Sequence, residues 1–219
     1  MGMKRFERSI RSNIYYEKVS KAIRKKEDII LLLLETMKIF LIDDIFQGND
    51  IKGKVILNIE KMSRVVFELE NKYFSFNFPF SVEDDVDGIG MRIYDSVSGV
   101  ELDSKNISVL IRIFNEKLKG DYLIEDIYYK LASEDEINNL EEIRYIVERL
   151  IFFESGYLRY DYDNERKNGS LHPEHHFDIN FSPSSTFKVG LNDRIDVDRF
   201  IDVLDLKTDC YYLYECQYK

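Results

Sequence analysis

The chain lacks tryptophan and holds only three prolines, two cysteines and three histidines in 219 residues. Cys210 and Cys216 are too few for a disulfide framework, and their spacing is not that of a CxxC redox or zinc pair. A long apolar run is also missing. Ile29–Leu34 is the most apolar stretch, but Glu35 and Lys38 interrupt its continuation to Ile42, well short of the ~20 apolar residues a membrane span needs. A buried helix is expected there, and no membrane association. The basic start is not succeeded by an apolar core, and Phe6 stands where a myristoylation signal needs Ser or Thr, so neither a secretory nor a lipid signal is expected. A reducing cytoplasm is the expected compartment.

Positive charge is outnumbered, with 31 Lys and Arg against 41 Asp and Glu. The net charge of −10 argues against a general nucleic-acid binder, which needs a basic excess to neutralise phosphates. Residues 1–26 are the exception, with nine Lys or Arg against Glu7 and Glu17. A basic arm on an acidic body suits a protein partner, a second copy of the chain or RNA; it equally suits a solvated face that complements its own body. Fifteen Phe, fifteen Tyr and 44% hydrophobic composition describe an ordered chain able to build a sizeable core.

The patterning divides the chain into four stretches, together expected as one compact α+β domain. Residues 1–50 read as a basic helical arm and a buried helix, since Ile14, Val19, Ile23, Ile30, Leu33, Leu34, Met37, Leu41 and Ile45 recur at helical spacing. Gln47-Gly48-Asn49-Asp50 ends them. Residues 51–100 read as a β-hairpin region, with Phe74, Phe76, Phe78 and Phe80 on one side and a turn at Glu70-Asn71-Lys72. Residues 101–155 read as helices at 104–118, 121–131 and 134–154, the last opened by a Ser133/Glu136 capping box. Residues 156–219 are strand-rich and closed by a helix that Asp196 caps.

That last stretch carries the chemistry. Leu158, Tyr160 and Tyr162 alternate with Arg159, Asp161 and Asp163, and His175, Phe177, Ile179 and Phe181 alternate with His176, Asp178 and Asn180. The connection at 164–174 permits antiparallel pairing, which would set Arg159, Asp161 and Asp163 beside His176 and Asp178. A third strand is expected within Ser184–Leu191, and Arg194 is expected at the end of the sheet.

The order Asp161-Tyr162-Asp163, then His172-Pro173 with His176, then Arg194-Ile195 before a helix with Phe200-Ile201, resembles the C-terminal signature of an uncharacterised bacterial family. That family is a domain of unknown function, and some of its members occur near mobile or defence genes. The resemblance covers about the last third of the chain, and Asp196 stands where the family's RIP pattern has proline. It implies a bacterial or phage origin and an intracellular, partner-dependent role in a defence-like or toxin/antitoxin-like system, but no reaction.

The residues themselves point to a second function class, a phosphodiesterase or nuclease. Here His176 is the candidate base, His172 the acid, Asp161 the group orienting an imidazole and Arg194 the phosphate ligand, because imidazole titrates near operating pH and Arg presents a planar fork to phosphate oxygens. A divalent metal on His172, His176 and Asp178, with Asp161 in reach, is a variant of the same expectation. The structural alternative has His175 filling a core position, His176 bonding a backbone carbonyl, and Arg159, Asp161 and Arg194 fixing strand register.

Overall fold

Residues 4–10 form a strand, not the start of the expected helical arm. In β1 (Lys4–Ile10), Phe6, Arg8 and Ile10 alternate with Arg5, Glu7 and Ser9, and this period of two outweighs the basic charge. Phe6 and Ile10 join the core, while the Arg8 guanidinium lies over the Phe40 ring. Lys4, Arg5 and Arg8 therefore decorate an edge strand, where charge discourages pairing with other chains. The structure, a computed structural model, describes residues 4–42, 50–59, 63–84, 90–117, 125, 127–129 and 140–210.

The remaining strands are β2 (Gly53–Ile59), β3 (Arg64–Leu69), β4 (Lys72–Asn77), β5 (Ser81–Asp84), β6 (Met91–Tyr94), β7 (Leu158–Tyr162), β8 (His175–Ile179) and β9 (Phe187–Leu191). One seven-stranded sheet runs β1-β2-β3-β4-β7-β8-β9, and β5 pairs with β6 separately. Every pairing is antiparallel. Glu70 and Asn71 alone make the turn between β3 and β4, because Lys72 already pairs with Leu69. The sheet thus joins the hairpin region to the C-terminal strands through β4 and β7, with Phe74 opposite Arg159.

The helical run after β1 divides into α1 (Asn13–Ser20) and α2 (Lys26–Leu41). Asp28 causes the second start, its carboxylate accepting the N–H groups of Arg24 and Lys25 at 2.9 and 3.0 Å. Helices α3 (Ser104–Lys117) and α4 (Leu140–Phe152) come next, giving the α+β class expected. The turn at Gln47–Asn49, the Ser133/Glu136 box and most of the 121–131 helix lie outside the described residues.

The two sheet faces bury separate cores. On one, α2, α3 and α4 pack over Leu57, Phe67, Phe74 and Phe76, joined by Phe78 and Phe80 from just beyond β4. On the other, α5 (Val197–Leu204) lays the fully buried Phe200 on Ile56, Val66, Tyr73, Tyr160 and Phe177. Asp196 caps α5 as expected, accepting the Arg199 N–H at 2.8 Å. Phe181 departs from its expected face: Asn180 adopts φ 70°, the strand ends, and Phe181 turns to meet Tyr157 edge-on in the helical-side core.

Candidate metal centre

On the face that α2 covers, the apolar core gives way to polar residues at Phe74. One cross-strand row reads Phe74, Arg159, Asp178, Lys188, and the next reads Lys72, Asp161, His176, Gly190. Directly opposed residues share a face, so these rows place five charged groups on the same face as one imidazole. The expected juxtaposition of Arg159 and Asp161 with His176 and Asp178 is what the register delivers.

Arg159 ties the carboxylates together. Its Nε donates to Asp161 Oδ2 at 2.8 Å and its Nη2 to Asp178 Oδ2. Burial pulls the guanidinium down, but Asp161, Tyr157 and Asp178 outweigh it and hold Arg159 above its ordinary value. Lys72 closes the β4 side, donating to the carbonyls of Val19 and Ser20 at 3.0 Å each. Burial, then Arg159, push Lys72 down to about 8 against the pull of Asp161.

His176 is 0% exposed. Its Nδ1 lies 2.8 Å from the Pro173 carbonyl, which can only accept, so the proton sits on Nδ1 and Nε2 keeps its lone pair. Burial keeps the ring neutral by holding its pKa below the ordinary value, with Lys188 acting in the same sense against the opposing pull of the Pro173 carbonyl and the carboxylates. Pro173 is held in place by Gly190, where a Cβ would meet the Pro173 ring at 2.9 Å.

The free Nε2 faces a cation. Lys188 Nζ lies 2.9 Å from His176 Nε2, 3.4 Å from His172 Nδ1 and 3.7 Å from Asp178 Oδ1. His172 donates from Nε2 to Asp163 Oδ2 at 3.1 Å, so its Nδ1 also offers a lone pair to the same ammonium. The two imidazoles meet edge to face at 4.9 Å. Asp178 Oδ1 is buried and makes no hydrogen bond. Donor atoms of Asp161, His176 and Asp178 all lie within 4.8 Å of one another. Tetrahedral metal bonds of about 2.0–2.2 Å set ligand atoms roughly 3.3–3.6 Å apart, so the widest of these separations has to close by about an ångström. An imidazole anchored through its other nitrogen to a carbonyl is the usual state of a metal-ligating histidine.

The structure thus brings together His176, His172, Asp161 and Asp178, but not Arg194. Arg194 lies across the sheet, its guanidinium 5.2 Å from the Tyr162 ring centroid and its Nη2 donating to the Glu70 carbonyl at 3.0 Å. The alternation of β7 explains this separation, since Tyr162 faces α5 and Asp161 faces away. The metal set also shifts: Asp161 joins His176 and Asp178 in the compact triad, while His172 is bound by Asp163 and meets the centre through the edge of the His176 ring and through Lys188. His175, half-buried on the α5 face and not within the core, stacks on Tyr162 at 5.1 Å and bonds the Tyr160 hydroxyl. Lys188 and Lys72 were missed. The signal for Lys188 was its place between Phe187 and Val189, which puts it on the polar face once β9 is paired.

Compared with known proteins, the chain matches no family model, no curated protein and no solved structure.

Proposed function

We propose that this protein is a metal-dependent hydrolase acting on a phosphodiester or nucleotide, with Asp161, His176 and Asp178 as the metal ligands. The observation that carries this reading is the state of Asp178: 6% exposed, with Oδ1 free of any hydrogen bond and facing a cation alongside two imidazole lone pairs. A network serving strand register alone would satisfy that oxygen, because an unsatisfied buried acceptor costs about 1–3 kcal/mol. The His176 bond to Pro173 serves register and metal equally and does not separate them.

A divalent metal of the zinc or manganese type suits this mixed nitrogen and oxygen set and supplies a water acidified toward neutral pH. The chain's own groups do the rest. Arg159 holds both carboxylates in place, and Lys188, its side chain 37% exposed, is able to swing from the imidazoles to a phosphate oxygen. His172 at the rim is oriented by Asp163 through its Nε2–H and turns Nδ1 toward the centre, where it would take a proton from the Lys188 ammonium and pass it to the leaving group. The partner-dependent, defence-like role implied by the family resemblance draws on charge distribution and motif order; the site geometry favours the enzyme.

Calorimetric titration of EDTA-treated, dialysed protein with zinc or manganese chloride tests the centre. One saturable site is expected, at least about tenfold weaker in His176→Asn. Absence of saturable binding and of any melting shift with both metals removes the proposal. With metal bound, hydrolysis of bis(p-nitrophenyl) phosphate that is lost in His176→Asn supports the activity, and a flat result across RNA, DNA and nucleotide substrates refutes it.

A further inference from the structure

Arg194 leaves the histidine centre but does not lie idle. It lines a cleft of about 670 Å³ on the opposite side, together with Tyr16, Lys52, Lys54, Glu68 and Tyr73. That volume falls within the roughly 300–1,000 Å³ typical of small-molecule sites. The sheet builds the cleft directly: Lys54 opposes Glu68, and Glu68 opposes Tyr73, so one row of the α5-side face supplies a cation, a carboxylate and an aromatic ring. Gly53 lets the strands close at this end, since a Cβ there would stand 2.5 Å from the Glu68 carbonyl.

Three demands for a ligand meet in this space. Lys52, Lys54 and Arg194 are cations converging from two loops and a strand, and Arg194 uses only Nη2 for the Glu70 carbonyl, leaving other N–H groups of its fork for an anion. Glu68 Oε2 is buried and without a hydrogen bond, and Lys54 Nζ at 3.8 Å is too far to supply one. It calls for an N–H or O–H donor. One tyrosine ring offers flat apolar surface, the half-buried Tyr16, with the Lys52 ammonium 5.5 Å from its centroid; Tyr73 closes the wall as part of the α5-side core.

We propose that this cleft binds a nucleoside monophosphate, its phosphate on Arg194 and the two lysines, its base against a tyrosine, and an amine or hydroxyl donating to Glu68. Inorganic phosphate lacks the ring and a bare nucleoside lacks the anion, so neither meets all three demands. The cleft is separate from the metal centre, across the sheet, and its occupancy does not depend on metal.

Calorimetric titration of the full chain in EDTA with adenosine and guanosine 5′-monophosphates tests this. Saturable binding of at least one nucleotide is expected, with adenosine, guanosine and inorganic phosphate each at least tenfold weaker. Arg194→Ala and Glu68→Ala should each weaken the nucleotide at least tenfold, and His176→Asn should leave it unchanged. If Arg194→Ala fails to fold, Lys54→Ala at the more exposed rim gives the same readout. The proposal is overturned by no saturable heat with either nucleotide, by equal affinity for inorganic phosphate alone, or by loss of binding in His176→Asn with retention in the cleft variants.

Discussion

Lys188 Nζ and His176 Nε2 lie 2.9 Å apart, on neighbouring strands, with a second imidazole nitrogen 3.4 Å from the same ammonium. An ammonium in this position does for the apo protein what a metal would do when bound: it answers lone pairs that nothing else answers. Lys188→Met removes that answer while preserving the length of the stem. In EDTA the variant should lose about 1–3 kcal/mol of unfolding free energy in urea. Zinc or manganese should restore the loss and bind more tightly than to the wild type, because no resident cation has to leave. Equal metal affinity in both proteins would show that Lys188 does not occupy the metal position.

Arg159 performs a different task, since both of its acceptors are carboxylates on the sheet face. Arg159→Ala leaves Asp161 and Asp178 side by side without their shared counter-charge. Breaking a buried pair from one side costs about 3–5 kcal/mol, and that loss is expected in urea unfolding. Arg92, whose ion pair with Glu101 is exposed on both sides, provides the control, with a change of no more than about 0.5 kcal/mol on replacement by Ala. Equal costs for the two variants would count against a buried network.

The sign of the pH dependence is set by His176. Burial holds its folded pKa below the ordinary 6.5, so between those values the unfolded chain binds the proton and the folded one does not. The stability contribution is therefore complete above pH 6.5 and lost as pH falls from there through the lower folded value. Metal-free wild type and His176→Asn, unfolded in urea from pH 8 to pH 5, should differ most at the top of that range. A difference that stays constant across it would mean that the imidazole titrates alike in both states.

Much of this arrangement was legible in the residues, and the exceptions have physical causes. Strict alternation in Leu158–Tyr162 and His175–Ile179 fixed which side chains share a face, and so predicted Asp161 beside His176. Asp196 announced α5 because a carboxylate before an apolar helical run has a backbone donor to satisfy. Alternation does not separate Arg194 from His176, because Lys188 and Gly190 share the His176 face; the chain leaves β9 at Leu191 and carries Arg194 to the α5 side, over Tyr162. Charge misled at β1, where the alternation of Phe6, Arg8 and Ile10 was the stronger signal. Lys72 was illegible for another reason: its partners are carbonyls at the end of α1, and no sequence pattern encodes a tertiary contact of that kind.

Gly190 and Pro173 offer a test of positioning rather than of ligation. The Pro173 ring fills the space above Gly190, and its carbonyl fixes the His176 tautomer. Gly190→Ala would bring a methyl within 2.9 Å of that ring and push the carbonyl off its line to Nδ1. Because β9 is an edge strand, the sheet is able to absorb much of the displacement, and a loss near 1 kcal/mol is the rough expectation. Metal affinity should fall more steeply, by about tenfold or more, as it does when an outer hydrogen bond to a ligand is disturbed. A variant that binds metal like the wild type would show that Pro173 does not orient the ligand.

Lys72 links α1 to the polar rows, and its removal separates two consequences. Its ammonium caps the carbonyls of Val19 and Ser20 and lies 5.0 Å from the Phe74 ring centroid. Lys72→Met keeps the apolar contact and deletes the cap, so α1 should fray from its C-terminal end at a cost of about 1–2 kcal/mol. Hydrogen exchange should quicken across Asn13–Ser20 and stay unchanged in β8, since Lys72 reaches Asp161 only through the field it shares with Arg159. The wild-type lysine, pushed down to about 8 by burial, should also make stability rise with pH between about 8 and 10.5, a rise absent from the variant. Protection lost in β8 instead of α1 would place Lys72 within the carboxylate network and not at the helix end.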